Sequence, residues 1–135
     1  MRASWARVHW RTWNSTVGVE KYEEEWQMSI INADSADWVR SEIRGGGTVL
    51  VDYGAPWCPP CKVLLPVLED LHQEYGDDVS IVKVNCDELP DLAGEAGVMG
   101  MPTVIVYKEG QPVEKLVGLR PKAAYQGILN KVLQA

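Results

Sequence analysis

The sequence predicts an α/β fold in which a central mixed β-sheet is flanked by helices on both faces. Three observations carry this. From Met28 the periodicities alternate as β-α-β-α-β-α and then close as β-β-α. Thr48 to Tyr53 (TVLVDY) is apolar and β-branched, as a central strand covered on both faces must be. Glu109-Gly110 separates two strand-like runs by a two-residue turn, so the last pair is an antiparallel hairpin on an otherwise βαβ frame.

Taken in order, Met28 to Ile31 is a short apolar strand. Asp34 or Ser35 caps a helix that runs through Arg44, with Trp38, Val39 and Ile43 near helical spacing, and Gly45, Gly46 and Gly47 end it. After the strand Thr48 to Tyr53 comes a helix-like run, KVLLPVLEDLHQEY, that places Leu64, Leu65, Leu68, Leu71 and Tyr75 on its inner side. Pro66 lies inside this helix and is expected to kink it. Gly76 to Asp78 is a turn, Val79 to Asn85 a second inner strand, and Glu88 to Ala96 a short helix with Pro90 in its first turn. Gly97 to Gly100 is a loop that leads into Met101-Pro102-Thr103. Thr103 to Lys108 and Val113 to Val117 form the hairpin, Gly118 breaks it, and Pro121 to Leu133 is the last helix.

Residues 1–27 differ from this pattern. They hold Trp5, Trp10, Trp13 and Trp26, and up to Val19 they carry Arg2, Arg7 and Arg11 and no acid. The stretch has no secretory h-region and is only weakly like a transit peptide. It reads as an N-terminal extension, either disordered or a translated leader. Glu23, Glu24 and Glu25 are encoded by GAR codons that can contain GGAGG, a bacterial ribosome-binding sequence, just upstream of Met28. The domain is therefore expected to be residues 28–135.

Composition narrows the function. The chain has 135 residues, enough for one core, and a net charge of -6, which argues against nucleic-acid binding. No apolar run approaches the length of a membrane span. Three cysteines, two of them in Cys58-Pro-Pro-Cys61, do not resemble a disulfide framework. They fit a redox or metal pair in a reducing compartment, with Cys86 as an ordinary buried thiol. Structural zinc needs four ligands. Cys58, Cys61, Cys86, His9 and His72 offer no second C-x-x-C or H-x-x-H.

A thiolate attacks disulfides; a thiol does not. Cys58 falls where strand-turn gives way to helix, at free backbone donors and the positive end of the helix dipole, both of which stabilise a thiolate. Cys61 lies one turn further in and is expected to be more buried and protonated until needed. Cys58 then attacks a substrate disulfide, and Cys61 resolves the mixed disulfide. Asp52 interrupts the apolar run VLVDY. It is either a solvated edge residue or a buried acid with a raised pKa that takes the Cys61 proton through a water. Lys83, in the neighbouring strand, is its expected partner, or else a strand lysine with its head in solvent. Pro102 is either a plain strand start or a cis bond that sets the Met101 backbone beside Cys58, where it can pair with an extended substrate.

WCPPCK after VLVDY, with Pro66, the Met101-Pro102-Thr103 turn, Gly110 and Gly118, resembles the thioredoxin family from about Met28 to Ala135. The resemblance implies a thioredoxin fold and a thiol–disulfide oxidoreductase acting as a protein-disulfide reductase. Its only redox group would be the Cys58–Cys61 pair, with no cofactor and no metal. It implies catalytic roles for Cys58, Cys61, Asp52 and Lys83. It also implies an apolar docking surface of Trp57, Pro59, Pro60, Met101, Pro102, Val117 and Gly118. Disulfide-containing client proteins and thioredoxin reductase, an NADPH-linked flavoprotein or a ferredoxin-linked one, are the implied partners of a cytoplasmic monomer, with no membrane and no nucleic acid. WCPPC also resembles thioredoxin-like reductases of apocytochromes outside the membrane, but those carry an anchor or signal and an insertion in the central βαβ unit, and neither is visible. A zinc-binding or scaffold module is the alternative of another class. Three positions depart from the family pattern. Pro59 replaces the usual glycine, Gly54 stands where tryptophan is frequent, and Cys86 is extra.

Overall fold

The computed structural model describes residues 30–134. Met28 and Ser29, the expected start of the first strand, and the whole of 1–27 lie outside the described residues. The elements are β1 (Ile31–Asn32), α1 (Ala36–Arg44), β2 (Thr48–Gly54), α2 (Pro59–Tyr75), a 3₁₀ turn (Gly76–Asp78), β3 (Val79–Asn85), α3 (Pro90–Ala96), β4 (Thr103–Lys108), β5 (Gln111–Val117) and α4 (Lys122–Gln134).

The sheet order is β1-β3-β2-β4-β5. β1 and β2 flank β3 in parallel, while β4 runs antiparallel to β2 and β5 to β4. The parallel pairs require crossovers, which α1 and α2 supply. The antiparallel pair needs only the two-residue turn, where Glu109 (φ 52°) and Gly110 (φ 83°) both take the left-handed conformation that a hairpin of this length demands. The mixed sheet with helices on both faces is the one that the sequence predicts.

Alternation in β2 sorts the core into two layers. Leu50, Ile81, Val104 and Val106 pack under Leu64, Leu68 and Leu71 of α2 and Tyr125, Leu129 and Val132 of α4. Val49, Val51, Val82, Val84 and Ile105 pack on the opposite face with Val39 of α1 and Leu92 of α3. Every residue of β2 is buried, including Asp52. On the second face the Tyr53 and Tyr107 hydroxyls meet at 2.9 Å, so each buried phenol has a partner.

Several boundaries differ from expectation for local reasons. Ser35 rather than Asp34 caps α1, its Oγ accepting the Trp38 N–H at 3.1 Å. Trp38 itself is exposed. α2 begins at Pro59, before Cys61, and runs through Pro66 on its exposed side. Leu65 and Tyr75 are only half-buried, because the core-facing row of α2 is Leu64, Leu68 and Leu71. β5 starts two residues earlier than expected, at Gln111. A bulge opposite Val106 and Tyr107 absorbs Val113, and Pro112 is tolerated because β5 is an edge strand. Among the described residues no helix is long and apolar enough to cross a membrane.

Candidate active site at the start of α2

β2 ends at Gly54, and the chain turns through Ala55-Pro56-Trp57, with the Cys58 N–H donating to the Ala55 carbonyl at 3.2 Å. Cys58 is the N-cap of α2, with extended backbone (φ -96°, ψ 109°). Its Sγ accepts the backbone N–H of Cys61 at 3.3 Å. Pro59 and Pro60 occupy the first two helical positions and carry no N–H. Of the N–H groups that a helix normally presents at its first three positions, only that of Cys61 remains, and it is spent on the Cys58 sulfur. Cys58 and Cys61 are joined as a disulfide, with Cα atoms 5.3 Å apart.

The expected difference in burial is not present. Cys58 is 4% exposed and Cys61 8%. Gly54 lies so close to Cys61 that no side chain fits between them. A Cβ built there would stand 2.9 Å from Cys61 Sγ and 3.9 Å from Asp52 Oδ1. Gly54 and Cys61 line a cavity of about 400 Å³ together with Asp52, Lys83 and Leu65 among others.

Asp52 is 2% exposed, and its Oδ1 has no hydrogen-bond partner among the described residues. Burial pushes its pKa up to about 6, and the Lys83 ammonium pulls in the opposite direction. The two are register partners across β2 and β3. The fold therefore brings Cys61, Asp52 and Lys83 to one cavity, and the reading of Asp52 as a solvated edge residue is ruled out.

The Met101–Pro102 peptide is cis. Met101 is half-buried and packs on the cluster of Ala55, Cys58 and Cys61. Its own backbone groups make no hydrogen bond among the described residues. Pro102 is buried, so its side chain is not part of the exposed surface; its carbonyl accepts the Gly118 N–H at 2.7 Å and ties this loop to the end of β5. Thr103 Oγ1 donates to the Gly100 carbonyl at 2.6 Å and steadies the same turn. Trp57, Pro59 and Pro60 are exposed next to the two cysteines in sequence, and Val117 is exposed at the end of β5, followed by the half-buried Gly118.

One contributor was not singled out from sequence. Asp87 accepts the Trp57 indole N–H at 2.7 Å and so orients a side chain that is 65% exposed. Its only sequence signal is its place just past β3, which the Gly54–Asn85 register carries to the β2–α2 turn. Cys86 is a free, buried thiol that packs with Val84 and Leu92 on the sheet face away from α2. Burial raises its pKa, and the Asp52 and Asp87 charges add to the effect. His72 lies on α2 as expected but is half-buried, and His9 is outside the described residues. Among the described residues no three His, Cys, Asp or Glu side chains gather as a metal site.

Residues 20–131 match the family model described as Thioredoxin. The chain is 53% identical over 106 residues to thioredoxin from Bacillus subtilis (strain 168), an alignment that covers 78% of this chain and 100% of that one. It is 43% identical to thioredoxin from Staphylococcus aureus, with the same coverage. Mitochondrial thioredoxin 3 from Saccharomyces cerevisiae, in its oxidised form, superposes with a TM-score of 0.70 at 37% identity, covering 78% of this chain and 98% of that one.

Proposed function

Because this chain belongs to the thioredoxin family, and is a thiol–disulfide oxidoreductase whose redox group is its own cysteine pair, we propose that Cys58 is the attacking thiolate and Cys61 the resolving thiol. The observation that carries the assignment is the Cys61 N–H directed at Cys58 Sγ, at the mouth of a 17-residue helix. A charge on Cys58 is stabilised there by a hydrogen bond and by the helix dipole; Cys61, within the first turn, has no such donor among the described residues.

Reduction of a client proceeds in two displacements. The Cys58 thiolate attacks one sulfur of the client disulfide, and the other client sulfur leaves with the electron pair. Asp52, with a pKa of about 6, is ionised at neutral pH and accepts the Cys61 proton through a water in the shared cavity. The Cys61 thiolate then attacks Cys58 Sγ, closes the disulfide and releases the second client thiolate. Lys83 limits how far the Asp52 pKa rises. The unpaired backbone of Met101 receives an extended client segment, flanked by Trp57, Pro59, Pro60, Val117 and Gly118, while the buried cis Pro102 holds that backbone in place.

The partners in this reading are disulfide-bearing client proteins and a thioredoxin reductase, an NADPH-linked flavoprotein, and the protein works as a cytoplasmic monomer. The stretch between Cys61 and Pro102 supports this over the extracytoplasmic alternative, since it holds only the rest of α2, the 3₁₀ turn, β3 and α3. The test is insulin-disulfide reduction. Cys58→Ser is expected to abolish turnover, and Cys61→Ser to accumulate a covalent complex with the client. Full activity in Cys58→Ser would remove the mechanism.

A further inference from the structure

The last turn of α3 is held from outside the helix. α3 (PDLAGEA) contains no Lys, Arg or His to meet the negative end of its own dipole. Gly97 caps it in the left-handed conformation (φ 69°), and the N–H groups of Gly97 and Val98 turn back to the carbonyls of Ala93 and Gly94. The carbonyls of Ala96 and Gly97 are left over, and among the described residues no backbone N–H reaches them. Lys115 takes both. Its Nζ donates to the Gly97 carbonyl at 2.9 Å and to the Ala96 carbonyl at 3.2 Å.

Lys115 lies on β5, and Gly118 follows the end of the same strand. The Gly118 N–H donates to the Pro102 carbonyl. The edge strand thus grips the loop twice, where it leaves α3 and where it enters β4. Only Val98, Met99, Gly100 and Met101 lie between the two grips, and Thr103 Oγ1 on the Gly100 carbonyl fixes them once more. We propose that Lys115 is a positioning residue for client binding: its ammonium holds the entry of this loop so that the Met101 backbone stays aligned with an extended client. The inference rests on Met101 being the backbone that pairs with the client.

Alternation along β5 makes this possible. Leu116 packs with the α2 and α4 layer, so its neighbour Lys115 is on the face that carries α3. Lys115 is exposed, and hydrogen bonds from an exposed ammonium are weaker than buried ones. Their loss loosens the loop without releasing α3, which buried Leu92 and the paired hydrogen bonds of Arg40 to Glu95 still anchor. A shift of about 1 Å at Met101 is enough to lengthen an ordinary N–H···O bond past its useful range. A disulfide that has no peptide backbone needs no such alignment, so the effect of Lys115 is selective for clients that pair along the chain.

The full chain, reduced, is mixed with a short peptide disulfide, with the same peptide N-methylated on the backbone beside the attacked cysteine, or with bis(2-hydroxyethyl) disulfide. Acid quench and mass spectrometry give the second-order rate of protein oxidation. In wild type the N-methylated peptide is expected to react about fivefold more slowly, the scale of one backbone hydrogen bond. In Lys115→Met that gap should shrink to less than about twofold, because the unmethylated peptide slows. Lys115→Arg, which keeps the charge and the donors, should retain the gap. So should Lys122→Met, which removes the same charge at the start of α4, where it pairs with Asp70. Bis(2-hydroxyethyl) disulfide should react at one rate in every variant. A gap that persists in Lys115→Met, an equal loss in Lys115→Arg or Lys122→Met, or a matching slowdown with bis(2-hydroxyethyl) disulfide overturns the role of Lys115 alone. No gap in wild type overturns the pairing at Met101, and the role of Lys115 with it.

Discussion

Asp52→Asn tests the physical basis of the site through stability rather than activity. The carboxyl titrates at 3.8 in an unperturbed chain and at about 6 in the fold, with burial as the main cause. The folded state therefore binds the proton more tightly than the unfolded state does. Its advantage is complete below about pH 4, is lost as pH rises from 4 to 6, and is gone above 6. At ~1.4 kcal/mol per pH unit, the ionised group costs about 3 kcal/mol near neutrality. The amide has the same shape and no charge, so Asp52→Asn should raise the free energy of unfolding by up to about 3 kcal/mol at pH 7.5 and by little at pH 3.5. Urea denaturation of the oxidised protein at pH 3.5, 5 and 7.5 reads this directly. A difference that does not change with pH would refute the reasoning. So would a variant less stable than wild type at pH 7.5, since that would mean that attraction to Lys83 outweighs burial. If Asp52 is also the base for Cys61, the stabilised variant will resolve mixed disulfides more slowly, so stability and turnover move in opposite directions.

Two other perturbations follow from the same geometry. Pro59→Gly restores a backbone N–H in the first turn of α2 beside the Cys58 sulfur, which should favour the thiolate and raise the reduction potential by roughly 30 mV, or ~1.4 kcal/mol for a two-electron couple; an unchanged potential in a redox titration would mean that the Pro-Pro pair is neutral here. Tyr53→Phe strands the Tyr107 hydroxyl in the core and should cost about 1–3 kcal/mol in urea denaturation, most of it recovered by adding Tyr107→Phe; equal and additive losses would show that the two hydroxyls are not coupled.

The sheet and the cysteine turn were legible because they rest on local signals. The β-branched run of β2, the leucine spacing of α2, Glu109-Gly110 and the Met101-Pro102 dipeptide each carry their own geometry in few residues. What was not legible depends on register or on an absence. Gly54 is needed because Cys61 Sγ would stand 2.9 Å from any Cβ there, and a missing side chain has no signal until its neighbours are known. Cys61 is no more buried than Cys58, against expectation. Asp87 meets Trp57 only because β2 and β3 align Gly54 with Asn85. The early start of β5 required the bulge that lets Pro112 sit on an edge. Asp52 lay between these cases: an acid in an apolar strand flagged itself, but its unpaired oxygen and its place on one cavity with Cys61 needed the fold.

The division of labour between the two cysteines is tested most directly by alkylating the reduced protein with limiting iodoacetamide across a range of pH and mapping the label by peptide. Cys58 should react first, with a midpoint below the ~8.5 of a free thiol, and Cys61 only at higher pH. Preferential labelling of Cys61 at neutral pH, or a Cys58 midpoint at or above that of a free thiol, would contradict the account.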